Sequence, residues 1–443
     1  MKRWSLLAML MLLLSLALVA CGGTANNTGG EEAAPAETGG EEAAPTEEAA
    51  PAEEEAAAPA EGGEVECTDA IGCVEVAPGD PILLASALAI SGDVAPLGTD
   101  SQRGVEIAIA DRGELLGHPI ELAPEDDGCN AEGGQTAATK IVSNPQVVGV
   151  VGTTCSGAGV PAAGIISDAG YVMISPSNTS PALTDPEQSW KPGYLRTAHN
   201  DLVQGAAMAN FVYNELGLRT AAAIHDGDPY TEGLAQSFSD AFTALGGEMV
   251  AFEAESAQAT NVEPLLTTIA ASSPEFLFYP VFMPLGGLLT NTARTVPGLE
   301  NTILAAADGL QDATFLGATG ENGEGLYASG PNLEFANSQY VDSFVPTYVE
   351  MFGEEPIQVY HAHAYDAANL LLDAIEAVAQ QGADGTLLIG RQALRDALYA
   401  TADYQGLTGS LTCNEYGDCA DANIAVKKVE GGEFVQVWSS KSE

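Results

Sequence analysis

Hydroxyl and amide side chains are concentrated in two loops, each of which follows a short apolar run. The run from Val147 to Val151 opens into TTCSG, which carries Ser156, and the run from Tyr171 to Ile174 opens into SPSNTSP, which carries Thr179. Backbone NH groups and hydroxyls beyond the carboxyl ends of parallel strands form ligand sites that favour anions. We therefore expect both loops to bind a small ligand, although Ser and Thr at such positions also serve as helix caps.

The sequence lacks the residue motifs of common catalytic and metal sites. His225, His361 and His363 could suggest a metal site, but no Cys-x-x-Cys pair accompanies them, so core or surface roles are favoured. The motif TTCSGAG lacks the glycine two residues before Ser156 that a nucleophile elbow requires, and no Gly-x-x-x-x-Gly-Lys phosphate loop occurs. We predict neither an enzyme nor a cofactor nor a metal site.

The segments that must position the two loops alternate between strand and helix patterns. Residues 158–169 between the apolar runs have helical length, and the alternation extends from Ile82 to a β-rich tail at Ile424 to Trp438. Strands joined by helices pair in parallel, and this many units exceeds one sheet of ordinary size. The prediction is an α/β fold with two Rossmann-like parallel-sheet lobes.

No long linker marks the boundary between the predicted lobes. Crossovers are expected near Thr197 and Gly330, where the alternation changes between units. The predicted lobes are 81–197 plus 331–409 for lobe 1, and 198–330 plus 410–443 for lobe 2.

The first 66 residues have the composition of export and tethering segments. Residues 1–20 combine a basic start, an apolar run and small final residues, which predicts a secretory signal peptide. The sequence LVAC resembles a bacterial lipobox in which Cys21 is lipidated. Residues 21–66 are rich in Ala, Pro and Glu, which predicts an acidic disordered tether. An ordinary leader or a short membrane anchor is the alternative, but the apolar run is shorter than the ~20 residues that span a bilayer.

The charge balance restricts the partners of the folded part. The chain has 62 acidic residues against 14 Lys and Arg, a net charge of −48. Nucleic acids and anionic membranes require basic surfaces, so we expect no nucleic-acid partner and membrane contact only through the lipid on Cys21.

Six of the seven cysteines remain available for disulfides once Cys21 carries a lipid, and an extracytoplasmic compartment permits their oxidation. Spacing favours three pairs: Cys67 with Cys73, Cys413 with Cys419, and, from what remains, Cys129 with Cys155.

Several motifs in order carry a family resemblance over about Ile82 to Gly409. The motifs are ISG, TTCSG, ISPSNTSPALT, RTAHND, HDGDPYTEG and FLFYPVF. They resemble the Leu/Ile/Val-type binding proteins of ABC transporters. The resemblance implies the type I periplasmic binding protein fold, in which three crossovers form a hinge and the ligand binds between lobes that close on it. It also implies that Cys129 and Cys155 form the family's disulfide.

The resemblance also implies roles for residues of both lobes. Ser156 and Thr179 would bind the ligand carboxylate through hydroxyl and NH groups, with main-chain help from Ser177 and Asn178. Across the cleft, the family's covering aromatic residue corresponds to Tyr230.

Two further positions complete the expected site. Phe282 stands where another aromatic is usual, and Asp308 stands where an acidic residue pairs with the ligand ammonium, although Asp-Gly is also a common turn signal. The chain departs from the family at Leu97, where a tyrosine is common, and in having Asp308 in place of a glutamate. The remaining aromatic position falls on either Tyr360 or His361.

The function expected from these features is that of a monomeric, lipid-anchored extracytoplasmic receptor. It would capture an amino acid, most simply a branched-chain or other aliphatic one, and deliver it to the transmembrane permease subunits of an ABC importer. A sensory ligand-binding module and a receptor for an amide, urea or carboxylate are the alternatives on the same scaffold.

Overall fold

The computed structural model describes residues 65–335 and 337–441. The predicted signal peptide, Cys21 and all but the last two residues of the predicted tether lie outside the described residues, so those predictions stay predictions. Within the described part, no helix is both long and apolar enough to cross a membrane.

The first third of the described chain contains a first strand, which belongs to a small separate sheet, and the strands and helices of the first large sheet. Its elements are β1 (Cys73–Val76), β2 (Ile82–Leu88), α1 (Ala95–Arg112), β3 (Glu114–Leu115), β4 (His118–Asp126), α2 (Ala131–Val142), β5 (Val147–Gly152), α3 (Ser156–Asp168), β6 (Met173–Ser175) and β7 (Tyr194–Arg196).

The middle of the chain builds a second sheet. Its elements are α4 (Asp201–Asn210), β8 (Thr220–His225), α5 (Pro229–Ala244), β9 (Glu248–Ala254), α6 (Glu263–Ala270), β10 (Phe276–Phe278), α7 (Leu285–Ala293), β11 (Ile303–Ala307), α8 (Ala313–Thr319) and β12 (Tyr327–Pro331).

The last part of the chain contributes to both regions. Its elements are α9 (Val345–Phe352), α10 (His361–Val378), β13 (Gln380–Gln381), β14 (Leu387–Gly390), α11 (Arg391–Tyr399), β15 (Tyr404–Gly406), β16 (Gly409–Leu411), β17 (Ile424–Glu430) and β18 (Glu433–Ser439).

Lobe 1 is the six-stranded sheet of order β3-β4-β2-β5-β6-β7 with the helices packed on it. All its strand pairs are parallel except β3 with β4. Side chains alternate across β2, so that Leu84 packs into one core with α1 and α10 while Ala85 packs into another with α2 and α3. The sheet is therefore buried on both faces, as parallel sheets require.

Lobe 2 is the seven-stranded sheet of order β18-β17-β12-β11-β10-β8-β9 with its helices. The five strands from β12 to β9 are parallel, and β17 and β18 are added in antiparallel fashion at one edge. Helices α6, α7 and α8 pack on one face, and α4 and α5 pack on the other.

Three connections join the two sheets: the segments after β7, after β12 and after β16. The first connection comprises residues 197–200, between β7 and α4. The strands at Ile424–Glu430 and Glu433–Ser439 belong to the second sheet.

The sequence patterns missed several short elements. The strand expected at Tyr171 to Ile174 begins two residues later, and β7, β14, β15 and β16 were not predicted. These strands have three or four residues each, too few for a period of two to be recognised. β1 lies before the predicted start of lobe 1 and pairs with β14 in a small antiparallel sheet.

The structure joins all three predicted cysteine pairs. Cys67–Cys73 and Cys413–Cys419 each close a loop with a sequence separation of 6, whereas Cys129–Cys155 spans a separation of 26. Only the last bond fastens two distant segments, the loop after β4 and the loop after β5.

Candidate functional site

The two loops singled out in the sequence lie side by side at the carboxyl edge of lobe 1. Ser156 is the first residue of α3, and its Oγ accepts a hydrogen bond of 3.2 Å from Ser180 N. Both Ser156 and Thr179 are buried, with about 1% of their surface exposed. The positive end of α3 therefore faces the loop that carries Thr179, which favours binding of an anion.

Ser177 and Asn178 join the loops to each other. Ser177 Oγ donates to Thr154 O at 2.8 Å, and Asn178 Nδ2 donates to Thr153 O at 3.0 Å. A Cβ on Gly159 would overlap the Asn178 side chain, so this contact requires glycine in α3. The side chains of both residues are used within the protein, and their backbone NH groups both donate to Ser175 Oγ. The main-chain help to the ligand that the resemblance implies for Ser177 and Asn178 therefore does not come from free NH groups in this structure.

Arg196 donates hydrogen bonds to the loop that carries Thr179. Sequence reasoning did not identify this residue. Its fully buried guanidinium donates to Asn178 O at 3.1 Å and to Ser180 O at 2.8 Å. The same guanidinium forms an ion pair with Asp418, in the loop closed by Cys413 and Cys419. In the sequence, Arg196 is marked only by its place in RTAHND at the end of an apolar run. That place does not reveal that its ion-pair partner, Asp418, lies 222 residues away.

Asp201 is the second residue that sequence reasoning missed. Its backbone N donates to Thr179 O at 2.9 Å, which joins the start of α4 to the lobe 1 loop. Within the described residues, neither carboxylate oxygen of Asp201 has a hydrogen-bond partner, and neither has Thr179 Oγ1. Burial, followed by repulsion from Asp308, raises the pKa of Asp201 well above its ordinary value. The Thr179 hydroxyl is near enough to oppose this shift in pKa, although no hydrogen bond of good geometry joins the two side chains.

A buried carboxylate without a donor is costly, because its desolvation is not compensated. The Asp201 carboxylate and the Thr179 hydroxyl therefore form a polar site suited to a group with several hydrogen-bond donors and a positive charge. An ammonium group has both properties.

Asp308 lies at the end of β11, with 3% of its surface exposed. Gln204 Nε2 donates to Oδ1 at 2.8 Å and Tyr230 OH donates to the same oxygen at 3.1 Å. Tyr360 OH donates to Oδ2 at 3.1 Å. Burial raises the pKa of both tyrosines well above the ordinary value, which keeps their hydroxyls protonated as donors.

Tyr360 and His361, the two candidates for the remaining aromatic position, have different surroundings. Tyr360 immediately precedes α10 and contacts Asp308, whereas His361 binds Asp100 at 2.8 Å within lobe 1. His363 is buried, and this burial lowers its pKa to about 3. Among the described residues, no group of three or more His, Cys, Asp or Glu side chains could hold a metal ion.

Aromatic residues of lobe 2 contact each other and an apolar cluster that includes residues of lobe 1. The Tyr230 and Phe282 rings are tilted, with centroids 5.2 Å apart. Phe282 also packs against a small cluster of Leu97, Ala198, Val359 and Tyr360. Leu97, the departure from the family pattern, thus contributes an aliphatic wall where a tyrosine would contribute a hydroxyl.

Comparison with known proteins identifies a family and its relatives. The family model described as periplasmic binding protein matches residues 81–433. The chain is 30% identical to the Leu/Ile/Val-binding protein of Citrobacter freundii over 249 residues, covering 55% of this chain and 65% of that protein. It is 26% identical over 356 residues to the leucine-, isoleucine-, valine-, threonine- and alanine-binding protein of Pseudomonas aeruginosa, covering 78% of this chain and 89% of that one.

The fold has a close counterpart among solved structures. The leucine-binding protein of Thermotoga maritima superposes with a TM-score of 0.73 at 24% identity, covering 81% of this chain and 98% of that chain. At this identity the likeness concerns the fold.

Proposed function

The chain belongs to the periplasmic binding protein family, and we propose that it is the extracytoplasmic receptor of an ABC importer that captures an amino acid between its lobes. Its relatives are binding proteins and not enzymes. Delivery to transmembrane permease subunits is part of the proposal, as are the aliphatic nature of the amino acid and the monomeric state.

One observation carries the proposal: the site has two ends of opposite polarity. We assign the ligand carboxylate to the N-terminus of α3, with Ser156, and the ligand ammonium to the buried acidic residues Asp201 and Asp308. An amino acid has a carboxylate and an ammonium group on adjacent carbons, and so matches both ends at once.

The two acidic residues have different parts in this proposal. Asp308 already accepts hydrogen bonds from Gln204, Tyr230 and Tyr360, so it orients the polar side chains at the site and adds negative potential. Asp201 has both oxygens free of protein donors within the described residues. We therefore assign the closest contact with the ammonium to Asp201 and the Thr179 hydroxyl, in place of the carboxylate contact that the resemblance implies for Thr179. Asp308, which the resemblance implies as the ammonium partner, has a supporting contact.

The surroundings favour an aliphatic side chain on the ligand. Leu97, Val359 and Phe282 supply apolar surface next to the polar site. Burial of a methylene against such surface stabilises binding by about 0.8 kcal/mol. The names of the relatives, which bind leucine, isoleucine and valine, support this choice.

Calorimetric titration with leucine tests the assignment of the carboxylate end when the wild-type chain and the Ser156→Ala variant are compared. Ser167→Ala is the matched control, because Ser167 lies in the same helix but donates to Pro192 O on an exposed surface. We expect Ser156→Ala to weaken leucine binding about tenfold, as for loss of a hydrogen bond to a charged group, and Ser167→Ala to leave it unchanged. Equal affinities of the two variants would remove the assignment.

The proposed anchor on Cys21 needs a separate test. Expressed with its leader in a bacterium, the chain should partition into a detergent phase and carry acyl chains at Cys21, whereas Cys21→Ser should remain in the aqueous phase. Equal partitioning of the two proteins would contradict lipid attachment.

A further inference from the structure

Asp228, in the loop before α5 of lobe 2, contacts helices of both lobes. Its Oδ1 accepts a hydrogen bond of 2.9 Å from Tyr230 N, which caps α5. Its Oδ2 points at the start of α3 in lobe 1, where it lies next to the Gly157 backbone. One carboxylate thus lies at the N-termini of two helices that belong to different lobes.

Gly157 allows this approach because it has no side chain. A Cβ on Gly157 would overlap Asp228 Oδ2 and would lie 3.0 Å from Asp228 Cγ. Gly157 does not have a positive φ, so a residue with a side chain could adopt the same backbone conformation. The glycine is needed for the approach of Asp228 from the other lobe, and not for the turn of the helix itself.

A helix cap alone does not account for the position of Asp228. Capping α5 uses one oxygen, whereas the second oxygen lies against the other lobe. The contact also has a cost, because burial, with a smaller contribution from Asp226, raises the pKa of Asp228 to about 6. The N-terminus of α5 offsets that cost in any arrangement of the lobes. The N-terminus of α3 adds to it only when the lobes are together, and it then faces both Asp228 and the ligand carboxylate assigned to Ser156.

We propose that Asp228 is a positioning residue for the closed cleft: its carboxylate caps α5 and α3 at once and so holds lobe 2 against lobe 1 around the ligand. The role of Asp228 in retaining the ligand rests on the proposed function. The contact between Asp228 and Gly157 does not depend on which ligand binds. The short distance between Gly157 and Asp228 provides tests of both aspects.

Two variants with matched controls test the role in retention. Gly157→Ala places a methyl group where Asp228 Oδ2 lies, while Gly164→Ala adds the same group to α3 at a position with no neighbour within 4 Å. Asp228→Ser keeps a capping side chain for α5 but is too short to reach α3. Asp312→Ser makes the same exchange at the cap of α8, where Asp312 accepts from Phe315 N.

We expect Gly157→Ala and Asp228→Ser to raise the dissociation rate of leucine about tenfold or more, with melting temperatures of the ligand-free protein close to those of their controls. Gly164→Ala and Asp312→Ser should dissociate at the wild-type rate. Equal dissociation rates for Gly157→Ala and Gly164→Ala would overturn the proposal.

Disulfide trapping tests the contact without relying on the ligand. Gly157→Cys combined with Asp228→Cys should form a cross-link between the lobes under mild oxidation, identified by peptide mapping, because the atoms involved lie within disulfide reach. Gly164→Cys with Asp228→Cys should not cross-link. Absence of the first cross-link overturns the inference, whereas a cross-link whose rate no amino acid changes leaves the contact standing and counts against the proposed function.

Discussion

The Tyr360 hydroxyl lies 3.1 Å from Asp308 Oδ2, so a residue at the start of a lobe 1 helix donates to a carboxylate at the end of a lobe 2 strand. Tyr230 and Gln204 of lobe 2 donate to the other oxygen of the same carboxylate. Asp308 is therefore shared between the lobes, and its donor from lobe 1, Tyr360, is correctly placed only when the lobes are together.

Tyr360→Phe should weaken leucine binding by about tenfold, because Asp308 loses its donor from lobe 1. Titration calorimetry measures the effect. Tyr365→Phe is the control, since Tyr365 OH donates to Asp111 Oδ2 within lobe 1 at 3.0 Å. If Tyr360→Phe and Tyr365→Phe weaken leucine binding by the same factor, the hydrogen bond from Tyr360 to Asp308 does not contribute to binding.

Asp201→Asn should have opposite effects on stability and on binding. Asparagine removes the cost of burying a carboxyl group that has no hydrogen-bond partner, so the melting temperature of the ligand-free protein should rise. Loss of the negative charge that would pair with the ammonium should weaken leucine binding at least tenfold. Thermal unfolding and calorimetry on the same samples measure both quantities.

Asp366→Asn provides the comparison for Asp201→Asn. Asp366 is also buried, but it accepts hydrogen bonds from Leu407 N, Thr408 N and Thr408 Oγ1. Its replacement should lower the melting temperature and leave the leucine affinity nearly unchanged. A lower melting temperature for Asp201→Asn would contradict the view that this carboxylate lies buried without a partner.

The free energy of unfolding should depend on pH through Asp127. Burial raises its pKa from 3.8 to about 7, so between these values the folded chain holds a proton that the unfolded chain has released. Stability therefore decreases as the pH rises through this window, by up to about 1.4 kcal/mol per pH unit for one proton. Asp127→Asn should reduce this slope in urea unfolding measured from pH 4 to 7.

His363 acts in the opposite direction over part of the same range. Its pKa is lowered to about 3, so below pH 6.5 the unfolded chain gains a proton that the folded chain excludes, and stability falls as the pH falls. The contribution of Asp127 is therefore obtained by plotting the free energy of unfolding against pH and taking the difference in slope between the wild type and Asp127→Asn. An identical slope in both would show that Asp127 is ionised throughout.

Loss of the Cys129–Cys155 bond should affect the ligand loop as well as stability. The double exchange Cys129→Ser with Cys155→Ser should lower the free energy of unfolding by about 3 kcal/mol and weaken leucine binding, because Cys155 directly precedes Ser156. Cys67→Ser with Cys73→Ser should lower stability less and leave leucine affinity unchanged, since that bond closes a local loop away from the site. Unchanged affinity in the first variant would separate the disulfide from ligand binding.

The sequence predicted the α/β class and the two loops because apolar runs followed by polar residues are local patterns. Cysteine spacing was informative for a similar reason, since two of the pairs close short loops. Arg196 and Asp201 were missed because their importance depends on contacts between distant segments: Arg196 with Asp418, and Asp201 with the loop of Thr179. Asp308 lies at a strand end, and its three donors come from Gln204, Tyr230 and Tyr360, which no spacing rule connects.

The central claim is that the cleft binds the carboxylate and the ammonium of one amino acid at opposite ends. Calorimetric titration with leucine, 4-methyl-2-oxopentanoate and 3-methylbutylamine tests it directly, because the second compound lacks the ammonium and the third lacks the carboxylate. The proposal predicts that leucine binds at least about a hundredfold more tightly than either analogue, as expected when a buried charged partner is lost. Binding of either analogue as tightly as leucine would contradict it.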